Sequence, residues 1–391
     1  MQPREGMFYG DHIAGLMRFR PGAVAIWMVG LSEQPVERQV AQRTRSSEHR
    51  RVDREVTANF DRSPGRRDIA EPPVQHNAGH RAQRQLIEDL LRRPVTVQAH
   101  DPWFVGNAAL AAAVVARAGG RRLRVFVPAD ADVGIVARLR RLGSEVVHCP
   151  RQPGGAGDPA YLRLRQELAA GAVPFTCQGH ENGLVIEGGE TIAYEIASDL
   201  AGTGLDHIVI QVGGGALASA CAQGLREAAE LGAIAREPRL HTVQTTGAHP
   251  LERAYTRVRA MLAGAGGAGV GADAGLISRA VVERVLTAAA QYRSAYMWPW
   301  ESAPRSIATG ILDDETYDWR AVVGAMLTTG GQPLVVTEDR LAEANELAAA
   351  TGIPADPTGS AGLAGLLDLR QAGVVGADER AAVLFTGVRR G

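Results

Sequence analysis

Three glycines at 213, 214 and 215 stand between the apolar run HIVIQV and a run of helix formers, ALASACAQGLREAAE. A chain needs that much backbone freedom where N–H groups must converge on one point, and the helix that follows adds the partial positive charge of its amino end. A phosphate is the natural guest of such a turn; a tight strand-to-helix connection without a ligand is the plainer alternative. The spacing is not G-x-G-x-x-G and no G-K-[ST] follows, so neither the dinucleotide fingerprint nor a Walker loop applies. Cys149, Cys177 and Cys221 are too few and too scattered for a disulfide framework or a structural zinc site, which fits a reducing compartment. Lysine is absent: the 42 basic residues counted as Lys+Arg are all arginine. A GC-rich coding bias accounts for that on the surface. It does not settle what happens at a site that needs an amine.

The elements that must position these residues alternate. PVTVQA, RLRVFVP and SEVVHC read as strands, with GNAALAAAVVARAGG and ADVGIVARLRRLG as the helices between them. DPAYLRLRQELAAG is a helix with Asp158 as its cap and Pro159 at its first position. EGGETIAYEIASDL is a further helix, HIVIQV a strand, and RLHTVQT a strand beyond the glycine-led helix. PLVVT, EDRLAEANELAAATG, SAGLAGLLDLRQAG and AAVLFTG continue the alternation to the end. Strand and helix at this spacing predict an α/β fold with mainly parallel sheets and helices on both faces. MLAGAGGAGVGADAG, 261–275, reads as a flexible loop.

Composition excludes some partners. The net charge of −1 leaves no electrostatic footprint for nucleic acid, and GAVAIWMVGL at 22–31 is too short to span a bilayer. A cytoplasmic homodimer that binds a small molecule is the expectation, with no membrane and no nucleic-acid partner. Residues 1–75 are arginine-rich without regular apolar spacing and are read as an irregular segment. A smaller α/β domain is expected over 76–185 and a larger one over 186–391, with a cleft between them.

Together these stretches resemble the fold type II pyridoxal-phosphate enzymes, which include threonine synthase, the serine and threonine dehydratases and the tryptophan synthase β-chain. The triple glycine and the small apolar helix after it resemble the family's phosphate cup. By that resemblance Gly213, Gly214, Gly215, Ala216 and Leu217 hold the cofactor's phosphate. GNAALAAAVVARAGG resembles the motif S-G-N-x-x-x-A-x-A, which sets Asn107 beside the cofactor's phenolic oxygen. RVFVPADADVGIVARLRRLGSEVV and IEGGETIAYEI resemble the strand and helices that frame the site. SIATGI at 306–311 resembles a segment whose backbone passes the cofactor ring. PTGSAGLAGL and VLFTG resemble the closing helix and strand, which sets Thr386 against the pyridine nitrogen; a hydroxyl there leaves that nitrogen largely unprotonated. PRLHTVQTTGAHPLERAY looks like the threonine synthase branch. The resemblance spans residues 80–391 and implies a lyase that eliminates or replaces a group at the β or γ carbon of a small amino acid.

One departure is severe. The family holds pyridoxal phosphate as a Schiff base on a lysine, and the same amine later moves the substrate's α-proton. Counting back from Asn107 reaches NAGHRAQRQL, where Arg81 stands at the lysine position and His80 is the neighbouring group that titrates near neutrality. A guanidinium stays protonated and forms no stable aldimine, so pyridoxal 5′-phosphate, if bound, is held non-covalently. Two readings stay open: a lyase of this branch, or a catalytically degenerate paralogue that binds the cofactor, a phosphate or an amino acid. A corrupted or misread coding segment over the first hundred residues competes with degeneracy as the explanation of the missing lysine.

Overall fold

The computed structural model describes residues 14–18, 24–29, 95–98, 106–129, 131–151, 157–177, 179, 181–200, 204–264, 277–302 and 304–386. All of them belong to one compact unit, made of residues 1–30 and 94–391. Among the described residues there are ten strands: β1 (Ala14–Arg18), β2 (Val24–Val29), β3 (Val95–Gln98), β4 (Leu123–Pro128), β5 (Glu145–Cys149), β6 (Val173–Pro174), β7 (His207–Gln211), β8 (Arg239–Thr245), β9 (Pro333–Val336) and β10 (Ala381–Phe385). The helices of the first half are α1 (Gly106–Ala118), α2 (Val133–Arg141), α3 (Pro159–Ala169), α4 (Leu184–Gly189) and α5 (Thr191–Asp199). Those of the second half are α6 (Ala216–Glu230), α7 (Pro250–Gly264), α8 (Arg279–Gln291), α9 (Trp319–Thr329), α10 (Glu338–Ala350) and α11 (Ala361–Gln371).

The strands form two sheets. The larger runs β1-β2-β10-β7-β8-β9 and the smaller β5-β4-β3-β6. Every pairing is parallel except β1 with β2, which is antiparallel. Helices cover both faces of each sheet. Ile208 and Ile210 of β7 join the core under α5 to α9, while Val209 between them joins the core under α10 and α11. All three are fully buried, and a strand with two buried faces must be apolar at every position, which is how HIVIQV reads. In the smaller sheet Val125 and Val127 face α1 and α2, and Phe126 faces α3.

Local signals set the helix ends. The Asp158 carboxylate accepts the Ala160 N–H at 2.8 Å and so caps α3. Asp132 does the same for Ile135 at the start of α2. The stretch EGGETIAYEIASDL is two helices, α4 and α5, meeting at Glu190, rather than one. Helix α7 extends to Gly264, into the glycine-rich stretch expected to be a loop; the rest of that stretch lies outside the described residues.

Ala14–Arg18 and Val24–Val29 depart from the irregular reading of the first 75 residues. Both are strands, and β2 pairs in parallel with β10, Ala381 opposite Val24 and Phe385 opposite Met28. A short apolar run with no alternation suits a central strand as well as a buried helix segment, and periodicity alone does not separate the two. No helix among the described residues is long and apolar enough to cross a membrane.

At the amino ends of β7 and β8, away from the glycines, two histidines lie fully buried side by side. His207 Nδ1 is 3.0 Å from His241 Nε2, and His207 Nε2 is 3.3 Å from a Glu379 carboxylate oxygen. Burial, then the charges of His207 and Arg239, push His241 down to about 3. His207 is lowered as well, by burial, against the opposing pull of Glu379. The unfolded chain, with histidines near 6.5, binds protons that the folded chain refuses. Stability is therefore whole above that pH and falls as pH drops below it, by up to about 1.4 kcal/mol per pH unit for each such histidine. His241→Gln is expected to flatten the fall in the urea midpoint between pH 6.5 and 4.5 by about half. An unchanged slope would refute this account.

Candidate functional site

In open parallel sheets ligands gather at the carboxyl ends of strands. At that end of the larger sheet β7 opens into the glycine turn and β10 into Thr386. The turn is built as the sequence requires. Gly215 has φ of 100°, a left-handed torsion that a side chain resists, and it serves as the cap from which α6 starts. Among the described residues, the N–H groups of Gly213, Gly214, Gly215, Ala216 and Leu217 meet no acceptor. Five successive donors at the positive end of a 15-residue helix make an anion cradle.

Residues 311–318 wrap the turn from outside. A Cβ added at Gly213 would stand 2.1 Å from Asp313 Oδ2 and 3.2 Å from the Ile311 Cα, and one at Gly214 would stand 3.2 Å from Tyr317 Cδ2. The Asp318 N–H donates to the Gly214 carbonyl at 2.9 Å, and the Asp318 carboxylate accepts the Gly179 N–H at 3.0 Å. The SIATGI segment thus brings its backbone against the glycine turn, and the Gly310 N–H is fixed by the Thr358 hydroxyl at 3.0 Å. Nearby carboxylates have cationic partners: Asp314 pairs with Arg151, and Glu315 with Arg293. The Asp313 side chain stands beside Gly213 at the rim of the turn.

Thr386 is held by a residue that the sequence reading missed. Gln211, the last residue of β7, is buried and sends its Nε2 to the Leu384 carbonyl at 3.0 Å, to Thr386 Oγ1 at 2.6 Å and to the Gly359 carbonyl at 3.4 Å. Its Oε1 is buried without a hydrogen bond among the described residues, which costs about 1–3 kcal/mol. The one signal in the sequence was a lone amide ending an otherwise apolar buried strand, directly before the glycines.

The thiols offer no nucleophile. Burial pushes Cys177 up to about 11, helped by the charges of Asp313 and Asp318, and Cys221 up to about 12. Burial raises Cys149 too. At neutral pH all three are uncharged thiols.

Of the residues singled out from the sequence, Gly213 to Leu217 form the cradle and Thr386 stands one strand away, tied to β7 through Gln211. Asn107 is the second residue of α1, placed by its backbone alone. His80 and Arg81 lie outside the described residues. The donor set suits a phosphate at the glycines and a neutral ring nitrogen at Thr386. It does not suit a covalent tether, since the chain has no lysine.

A family described as "Pyridoxal-phosphate dependent enzyme" matches residues 83–387. The threonine synthase of Methanocaldococcus jannaschii is 25% identical over 284 residues, which are 72% of this chain and 60% of that protein. That of Mycobacterium tuberculosis is 25% identical over 284 residues, 72% of this chain and 65% of it. The chain therefore spans about 60% of the length of the first of these relatives. Among solved structures, the serine racemase of Dictyostelium discoideum superposes with a TM-score of 0.53 at 18% identity, covering 78% of this chain and 79% of the other. A threonine deaminase from T.th. gives 0.53 at 18%, covering 76% and 79%. At these identities the structures show the fold: the α/β arrangement of fold type II.

Proposed function

This chain belongs to the pyridoxal-phosphate-dependent enzyme family, and on that footing we propose that it holds pyridoxal 5′-phosphate without a covalent bond and acts on a small amino acid in the lyase manner of the threonine synthase and dehydratase branch. The observation that carries the reading is the row of five unmet N–H groups at Gly213 to Leu217. When bound, the cofactor supplies an electron-withdrawing ring to the substrate's amino-acid centre. The glycine turn binds the phosphate, Thr386 meets the ring nitrogen, and the 306–311 backbone lies alongside. Asn107, by the same resemblance, stands beside the cofactor's phenolic oxygen.

A second reading is favoured by one specific fact, the absence of lysine. Without an amine to take and return the α-proton, the same residues make a cofactor- or amino-acid-binding protein with little turnover. One set of measurements separates the readings. Titration with pyridoxal phosphate, followed by intrinsic fluorescence, is expected to saturate, to reverse on dialysis and to leave no adduct after borohydride. An absence of saturable binding would sink the lyase reading and the cofactor-binding form of the second, leaving only amino-acid binding, which the same titration with serine or threonine then tests; a borohydride-stable adduct would overturn the non-covalent mode. Release of a 2-oxo acid from serine or threonine, or of phosphate from phosphohomoserine, favours the lyase; binding without release favours the second reading.

A further inference from the structure

We propose that Gln211 is a positioning residue that makes the Thr386 hydroxyl a committed hydrogen-bond donor, so that the site selects a ring whose nitrogen is an unprotonated acceptor. The inference rests on the reading of Thr386 as the ring-nitrogen partner and adds what sets its polarity. The orientation of the Gln211 amide is not arbitrary. One of its terminal atoms lies 3.0 Å from the Leu384 carbonyl and 3.4 Å from the Gly359 carbonyl, and carbonyl oxygens only accept. That atom is therefore the nitrogen. At 2.6 Å the same nitrogen meets Thr386 Oγ1, and an NH₂ group only donates. The Thr386 oxygen is thereby an acceptor toward Gln211, and its own hydrogen is left to be given elsewhere.

The surroundings hold this arrangement in place. The Gln211 side chain is clamped between the end of β10 and the turn before α11, where the Gly359 N–H is fixed by Asp356 at 2.7 Å. On the other side a Cβ at Gly362 would stand 2.9 Å from Gln211 Oε1, so the amide lies directly against the first turn of α11. The Thr386 N–H is itself directed to the Gly359 carbonyl, 3.4 Å away. A buried amide with an unmatched oxygen, in a strand position where valine would suffice for packing, is explained by what its nitrogen does.

The test uses the full-length chain and pyridoxal 5′-phosphate labelled with ¹⁵N in the ring. In the parent, the ring ¹⁵N resonance is expected to report an unprotonated, hydrogen-bonded nitrogen that does not titrate between pH 6 and 8. In Gln211→Met the hydroxyl is free to turn. The resonance should then shift and become pH-dependent in that range, with a roughly tenfold weaker dissociation constant. Gln211→Glu, which puts an acceptor where the donor was, should shift it further in the same sense and serves if the methionine variant folds poorly, as read by circular dichroism. A ¹⁵N resonance and pH profile unchanged in both variants would overturn the role of Gln211. Thr386→Val separates that failure from failure of the underlying reading. If Thr386→Val moves the ring resonance while the Gln211 variants do not, Thr386 stands and Gln211 is structural. If Thr386→Val also leaves it unmoved, or the parent binds no cofactor, the reading and the proposal fall together.

Discussion

Arg81→Lys is expected to convert a non-covalent cofactor protein into one with a covalent link at residue 81, and to raise amino-acid turnover by about 10²–10⁴-fold. The 391 residues contain no lysine, so the parent has no side-chain amine that could condense with the cofactor's aldehyde. On the reading proposed above, HRAQRQL corresponds to the family's lysine segment, with Arg81 where the lysine would stand. A guanidinium remains charged at every physiological pH and neither adds to an aldehyde to any useful extent nor accepts a proton. Lysine, by contrast, changes pKa readily when desolvated and serves both as nucleophile and as base. One substitution therefore restores two functions at once, and the mass of the borohydride-reduced protein gains a pyridoxyl group on a peptide containing residue 81. Absence of that peptide adduct would show that residue 81 does not reach the cofactor. Rapid turnover by the unaltered chain would contradict the account from the other side and turn attention to His80.

Gly213→Val should abolish cofactor binding, raising the dissociation constant of pyridoxal phosphate by more than about 100-fold, the loss of two or more hydrogen bonds to a charged group. The reason is local. A Cβ at this position has an Asp313 carboxylate oxygen at 2.1 Å and the Ile311 Cα at 3.2 Å, so Asp313 must swing aside and the added γ-carbons of valine press the turn away from the 311 backbone. Moving it displaces the N–H groups of the residues that follow, and a cradle of aligned donors loses most of its strength when they cease to converge. Gly183→Ala is the control, since nothing lies within 4 Å of a Cβ there; its affinity should match the parent's. Tight binding by a folded Gly213→Val protein would remove the phosphate from this turn.

What the sequence made legible follows from how local each cause is. The α/β alternation was readable because burial on both faces imposes apolar strands such as Ile208, Val209 and Ile210, and because caps such as Asp158 mark helix starts within a few residues. The glycine turn was readable because torsion and close approach restrict residue type in place. Gln211 was not, because its meaning lies in contacts with Leu384 and Thr386, on a strand far along the chain. The same holds for Asp313 and Tyr317 against the glycines. The two strands before residue 30 were missed for a related reason: what makes them strands is β10, at the opposite end of the sequence.

That last pairing has a consequence for how the molecule comes into being. On the ribosome the chain emerges from its amino end, and β2, which has β1 beside it from the start, joins the rest of the sheet only when Ala381 to Phe385 have been made. Among the described strand pairings this one has the largest sequence separation, the kind of contact that forms slowly because the loop must be ordered first. Until then β7 has an open edge where β10 will lie, and Gln211 lacks both Leu384 and Thr386. The glycine turn can form in a nascent chain, but the Gln211–Thr386 contact cannot. A ligand that engages both ends would therefore favour the finished sheet over its unclosed precursor, acting as a late clasp on biosynthesis as well as a reagent.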